Sequence, residues 1–203
     1  PAVSALVALY EGTGGGNSTT KSYWMNNDGT QDSKDPCDNS WYGVTCSSDG
    51  EVRILNLASN GLTRSIPSQV GHFSALTNGG TWNGLFSYND ITGTLPTELG
   101  MWTSFKTWFT ITYTSVAGAI PTQLGQLSAN FEHYMEFTGN DLSQRIPSQL
   151  GSITGVDSLQ LRDNKLTGPL PTELGRQSAM NQKFFLILDL QILVEAINYF
   201  LVN

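Results

Sequence analysis

The chain has 203 residues, a formal net charge of -7 and only 10 Lys and Arg, with a pI near 4.6. Phosphate binding needs clustered cations that release counterions, and basic residues scattered singly exclude nucleic acid as a partner. Charged residues are 13% and hydrophobic ones 39% of the chain, so solubility rests on Ser, Thr, Asn, Gln and Gly, a neutral hydrogen-bonding surface suited to extracellular binding.

At the N-terminus, Val3, Leu6, Val7 and Tyr10 recur at helical spacing in VSALVALYE. They predict a short amphipathic helix over residues 3–11 with its apolar face toward the first repeat. No signal peptide is visible ahead of it, and the expectation is a mature or truncated chain. GTGGGNSTTKS carries too many glycines and small polar residues for a regular element and reads as a surface loop. Its GxG lacks a third glycine and a preceding strand, which argues against a nucleotide cradle. The sequon Asn17-Ser18-Thr19 makes Asn17 a glycosylation candidate.

Trp24, Trp41 and Tyr42 bring large apolar bodies into a stretch rich in Asp and Asn, and are expected to cover the exposed end of the repeat core. Asp28, Asp32, Asp35 and Asp38 crowd the same stretch without the alternating acids, glycine and final Glu of a calcium loop. They read as turn carboxylates or helix caps, and no metal site is expected. Cys37 and Cys46 stand nine positions apart in DPCDNSWYGVTC, close enough to bridge across a tight loop. A disulfide and an oxidising compartment are expected; two reduced, buried thiols are the alternative.

The rest of the chain repeats itself, most completely as LQLRDNKLTGPLPTELG between Leu159 and Gly175. Its Asn164 and Pro171 are seven residues apart, and the frame recurs as Asn60/Pro67, Asn89/Pro96, Thr114/Pro121 and Asn140/Pro147. The prolines are separated by 29, 25, 26 and 24 residues, a period in which one strand and one return turn fit. The frame assigns inward strand positions to Leu55/Leu57, Gly84/Phe86, Phe109/Ile111, Met135/Phe137 and Leu159/Leu161, alternating with outward residues. A buried amide at the Asn position can bond backbone groups that no sheet neighbour reaches; stacked coils make a ladder, which Thr114 breaks, predicting a local weakness. Ser68, Thr97, Thr122, Ser148 and Thr172 follow the prolines as cap-like residues of a short helix or 3₁₀ turn ending in Gly. The coil from Gly71 to Asn89 carries about five extra residues and should bulge. Lys106 and Glu132 stand where a leucine should open the strand, whereas Val52 and Val156 fit.

DPCDNSWYGVTC followed by VRILNLASNGLTRSIPSQVG resembles the N-terminal cap and first repeat of plant-type leucine-rich repeat proteins, and ALVALYEGTGGG is similar to caps on secreted or surface repeat proteins of algae and other protists. The resemblance covers residues 3 to about 176. It implies an α/β solenoid, a right-handed leucine-rich repeat superhelix of five to six coils with short parallel strands on the concave face. Residues 1–50 would be the cap, sealed by Cys37 and Cys46, and 51–176 the coils. The Ile-Pro and Leu-Pro segments, ending at Pro67, Pro96, Pro121, Pro147 and Pro171, would add a strand on the flank. Residues 177–203 are a degenerate last coil or C-terminal cap, in which Leu188 and Leu190 take the strand leucines and Leu193 the Asn place. One continuous helix is the alternative, as is a membrane span, against which Asp189, Gln191, Glu195 and Asn198 count.

No catalytic grouping stands out. His72 and His133 fall in different coils, without an HExxH, CxxC, GxSxG or phosphate-loop pattern. The reading is therefore a non-enzyme with no cofactor. What remains is the outward strand surface, with Tyr88, Thr110, Thr112, Tyr113, Glu136, Gln160, Arg162 and Asp163 as candidate contacts. Tyr88 and Tyr113 occupy corresponding positions and should stack about 5 Å apart; Arg162 and Asp163, on the most regular coil, should be the most rigidly held. The expected function is extracytoplasmic, secreted or cell-surface recognition of a protein, peptide or glycan. A structural subunit docking through the apolar tail Phe184–Val202 is the alternative, and ice binding through Thr110 and Thr112 a lesser one.

Overall fold

A computed structural model describes residues 2–14, 37, 41–77, 84–127, 133–153, 155–175 and 185–189. Asn17, Trp24, the four aspartates of the cap and the tail beyond Asp189 lie outside them, as do residues 78–83 of the coil expected to bulge.

Short alternating strands stack coil on coil. β3 (Phe109–Thr110), β5 (His133–Glu136), β7 (Val156–Gln160) and β9 (Phe185–Ile187) form a parallel sheet in that order, with Phe109 opposite Met135 and Met135 opposite Leu159. Earlier coils extend the surface through single ladder bonds, Leu57 N to the Leu85 carbonyl at 2.7 Å and Ser59 N to that of Ser87 at 2.9 Å. An antiparallel hairpin, β1 (Val44–Cys46) with β2 (Val52–Leu55), opens the solenoid. Cys37 and Cys46 are disulfide-bonded, with Cα atoms 5.1 Å apart, which decides between the two readings of the cysteines.

Burial follows the predicted inward positions: Leu55, Leu57, Phe86, Phe109, Ile111, Met135, Phe137, Leu159 and Leu161 are all closed to solvent. In the middle coils aromatic rings supply the volume that leucines supply elsewhere. Trp102, Phe105 and Phe109 pack with ring centroids 5.5–5.9 Å apart, and the Trp102 indole N–H donates to the Val70 carbonyl at 2.7 Å. Gly84 leaves a core position empty of side chain, and the adjacent Leu85, at φ 53°, is itself buried instead of facing outward.

Several local expectations are corrected. The helix α1 spans Ala2–Gly12, but its buried face is Ala5, Leu6, Leu9 and Tyr10, with Val3 exposed; adjacent pairs one turn apart make a broader stripe than the spacing chosen from sequence. It packs on the 3₁₀ helix Ser68–His72. Trp41 is buried, whereas Tyr42 is 40% exposed.

The flank strands β4 (Ala117–Gly118), β6 (Asp141–Gln144) and β8 (Lys165–Leu166) form a second parallel sheet, and end before the Ile-Pro or Leu-Pro pair, not on it. Pro67, Pro96, Pro121, Pro147 and Pro171, at ψ between 128° and 154°, are the extended residues that precede each 3₁₀ helix. Pro suits that place because it has no N–H to leave unpaired there. The proline itself is the N-cap, and the Ser or Thr after it is the first residue inside the helix; in Thr97 and Thr122 the hydroxyl turns to the next side chain, Glu98 or Gln123. Gly100, Gly125 and Gly151 lie inside their helices and are no caps, whereas Gly175 is the C-cap of the last one. A Cβ on Gly100, Gly125 or Gly151 would stand 2.2–2.5 Å from the carbonyl oxygen of Gln123, Gln149 or Glu173 in the next coil, so the convex turns stack through bare backbone.

β9 joins the sheet with Leu186 opposite Leu159. A strand over Phe185–Ile187 corrects the single-helix reading there, and the coil frame sits two residues earlier than the sequence suggested: Leu186, not Leu188, opposes Leu159, and Leu188 is the second, buried inward residue. No helix among the described residues is long and apolar enough to cross a membrane.

Candidate functional site on the concave face

Most turns that end a strand are fixed by an amide, buried at Asn89 and Asn140 and half-buried at Asn164. Asn89 Nδ2 donates to the carbonyls of Leu57, Phe86 and Ser87, and its Oδ1 accepts from Asn60 N and Leu62 N. Asn140 donates to Ile111 and Phe137, and Asn164 to Phe137, Leu161 and Arg162. The row continues past the regular coils: the Asp189 carboxylate accepts from Asp163 N at 2.7 Å and Asn164 N at 3.1 Å. Thr114 does not simply interrupt it, since its hydroxyl bonds Asn140 Oδ1 and accepts from Val116 N.

Where the chain folds back at each Asn of this row, and at Thr114, the preceding residue is left-handed. Ser59, Tyr88, Tyr113 and Asp163 have φ of 53°, 57°, 51° and 54°, and Gly139, in the corresponding place, 72°. Outside glycine this region costs roughly 1–2 kcal/mol per residue, and such residues cluster where a side chain must be aimed. Here the conformation throws two tyrosines outward. Tyr88 and Tyr113 are 45% and 49% exposed and stack with centroids 4.9 Å apart at 19°, as the sequence frame anticipated. Gly139 makes room for them, because a Cβ there would lie 2.6 Å from Tyr113 Cδ1.

A second pair, which the sequence frame left out, lies at the start of β3 and β5, one coil further along than the tyrosine pair. Trp108 and Tyr134 are half-buried and stack at 4.3 Å, nearly coplanar at 3°. Extending the outward alternation two residues before Thr110 and Glu136 would have found both. Five residues of extended chain separate Trp108 from Tyr113, roughly 16 Å.

Between the pairs, Thr110 and Thr112 are buried, which corrects their assignment as contacts. They are short side chains on a row with Trp108. The Thr110 hydroxyl is spent on the Gly84 carbonyl at 3.1 Å and Thr112 N on the Ser87 hydroxyl at 3.1 Å. The ice-binding ladder they were to begin has no exposed surface. Glu136 is half-buried and opposite Gln160; burial pushes its carboxyl above the ordinary range, with the Thr138 hydroxyl beside it pulling partly back. Burial also raises the Tyr88 phenol, reinforced by Tyr113 and by the charge of Glu136. Arg162 and Asp163 are exposed one coil further on. His72 lies far from this face, on the convex turn, with Nδ1 3.1 Å from the Gln69 carbonyl oxygen.

Stacked coils of one strand, one flank strand and one 3₁₀ turn, tied by an amide row and opened by a disulfide-bearing cap, define a leucine-rich repeat solenoid. The Leucine Rich Repeat family profile matches residues 51–73. No curated protein sequence matches significantly. The chain superposes on the crystal structure of PEPR1–AtPEP1 with a TM-score of 0.72 at 20% identity, over 93% of this chain and 24% of that one. It superposes on the BIR3–SERK2 complex from Arabidopsis thaliana at 0.68 and 23% identity, over 93% and 94%. The plant peptide hormone receptor RGFR1 in complex with RGF2 is similar at 0.57 and 26%, over 66% and 20%. The chain thus spans about a quarter of the PEPR1 chain, and the likeness to the first two is one of fold.

Proposed function

We propose that this protein is an extracytoplasmic recognition module that captures a protein or peptide on its concave face. The observation that carries the reading is the exposed Tyr88–Tyr113 stack on left-handed backbone. Rigid aromatic anchors held at a conformational cost are what binding surfaces use to gain affinity without ordering loops. The Cys37–Cys46 disulfide supports an oxidising compartment. Similar folds crystallised with peptide or protein partners support the partner class. A glycan is the other class that stacked aromatics suit.

Immobilised Tyr88→Ala/Tyr113→Ala and unmodified chains, exposed to secreted proteins and peptides of the source tissue and to a glycan array, test this. Capture of one identified peptide or protein by the unmodified chain, weakened at least about tenfold in the variant at unchanged circular dichroism, is expected. Equal capture by both moves the site off the concave face, and capture confined to glycans replaces the partner class.

A further inference from the structure

Glu136 is a half-buried acid on the outward strand positions that also carry the aromatic stacks. It lies on β5 between Thr110 of β3 and Gln160 of β7. Tyr134, two residues back on the same strand, shares its face and stacks on Trp108; from the other end the Tyr88 phenol feels its charge. The groups beside it on its own and the adjacent strands, Thr138, Thr110 and Gln160, are neutral. Arg162, the nearest cation by register, is exposed and forms no ion pair with Glu136 among the described residues.

We propose that Glu136 is the specificity determinant of the concave face and takes the guanidinium or ammonium of a basic side chain on the peptide or protein partner, with the rings of Trp108, Tyr134 and Tyr88 around it. The inference rests on the concave-face reading above and names the partner's chemistry. A neutral partner group would close the site over an unpaired charge, which is costly, and an acidic one would be repelled. A cation gains both a charge-assisted hydrogen bond and the ring quadrupoles, and the net charge of -7 draws it in from a distance. The raised carboxyl of Glu136 fits a group poorly solvated while the site is empty and relieved when a cation arrives.

The probe is an array of short synthetic peptides carrying Arg or Lys, each matched to a copy with citrulline or norleucine at that place, read with the full chain and its Glu136→Gln, Tyr88→Ala/Tyr113→Ala and unmodified forms. Arg or Lys peptides should bind about 10- to 100-fold more tightly than their neutral copies, the equivalent of one hydrogen bond to a charged group. Glu136→Gln, isosteric and remote from the amide ladder, should erase that preference. Binding needs the ionised carboxylate, so affinity should fall on acidification through the raised pKa of Glu136, earlier than for an ordinary Glu, and the Gln variant should lose this dependence. A preference that survives Glu136→Gln, or equal binding of neutral copies, overturns the inference. If such binding is still lost in the tyrosine variant, the concave site stands and only its cation specificity falls; if all three forms bind alike, both fall.

Discussion

The middle coils and the last regular coil solve the same packing problem with different residues. Around Asn164, Leu159, Leu161 and Leu166 fill the core as the repeat pattern demands. Around Thr114, where Lys106 replaces the opening leucine and is exposed, Trp102, Phe105 and Phe109 fill it instead, fully buried and in mutual ring contact. Loss of consensus leucines is therefore substitution of aromatic volume, not degeneracy. The same coils also present aromatic stacks, Tyr88 with Tyr113 and Trp108 with Tyr134, on their outward strand positions.

The comparison breaks most sharply at Trp102. Trp102→Ala removes a large ring from a closed site and leaves the Val70 carbonyl without its indole donor. It should cost about 3–5 kcal/mol, a fall of roughly 10 °C in the thermal midpoint for a chain of this size. Leu161→Ala in the regular coil should cost about 2–5 kcal/mol. A Trp102→Ala midpoint well above that of Leu161→Ala would mean the middle core is loosely packed.

Gly139 tests the surface half of the comparison with a smaller effect. Ala at φ 72° costs about 1–2 kcal/mol in backbone strain, part of it returned by a stiffer unfolded chain. The added methyl must push the Tyr113 ring away. The expected result for Gly139→Ala is a midpoint lowered by a few degrees with a changed tyrosine near-UV signal and weakened partner capture. An unchanged near-UV signal would show that Gly139 does not seat the stack.

Much of this was legible in the sequence because the repeat period is long-range information. The Asn-to-Pro frame located the inward residues, the ladder and the Tyr88–Tyr113 stack, since spacing alone decides which residues stack between coils. What it missed depends on neighbours. Thr110 and Thr112 are outward by alternation but buried, tied to Gly84 and Ser87 of the preceding coil. Leu85 turned inward because Gly84 left a vacancy beside it. Gly100, Gly125 and Gly151 read as helix ends, whereas their reason is a carbonyl in the next coil, which no single repeat contains. Asp189 escaped notice because a carboxylate, arriving four residues before the amide position the frame had put at Leu193, does the amide's accepting half.

Thr114 is where the ladder can be sharpened rather than broken. The Phe137 carbonyl accepts from both Asn140 and Asn164, whereas Phe86 receives only Asn89 and Ile111 only Asn140. The missing donors are those that an amide at 114 would supply, because a hydroxyl already committed to Asn140 has no second proton to give. Thr114→Asn should add one or two bonds inside the turn while giving up the link to Asn140 Oδ1. At about 1 kcal/mol for each net hydrogen bond, the gain is about 0.5–1.5 kcal/mol, or a few degrees in the midpoint. An unchanged or lowered midpoint would mean that the threonine is already the better fit, its short side chain matched to the neighbouring Tyr113 turn, and that the ladder is complete as it stands.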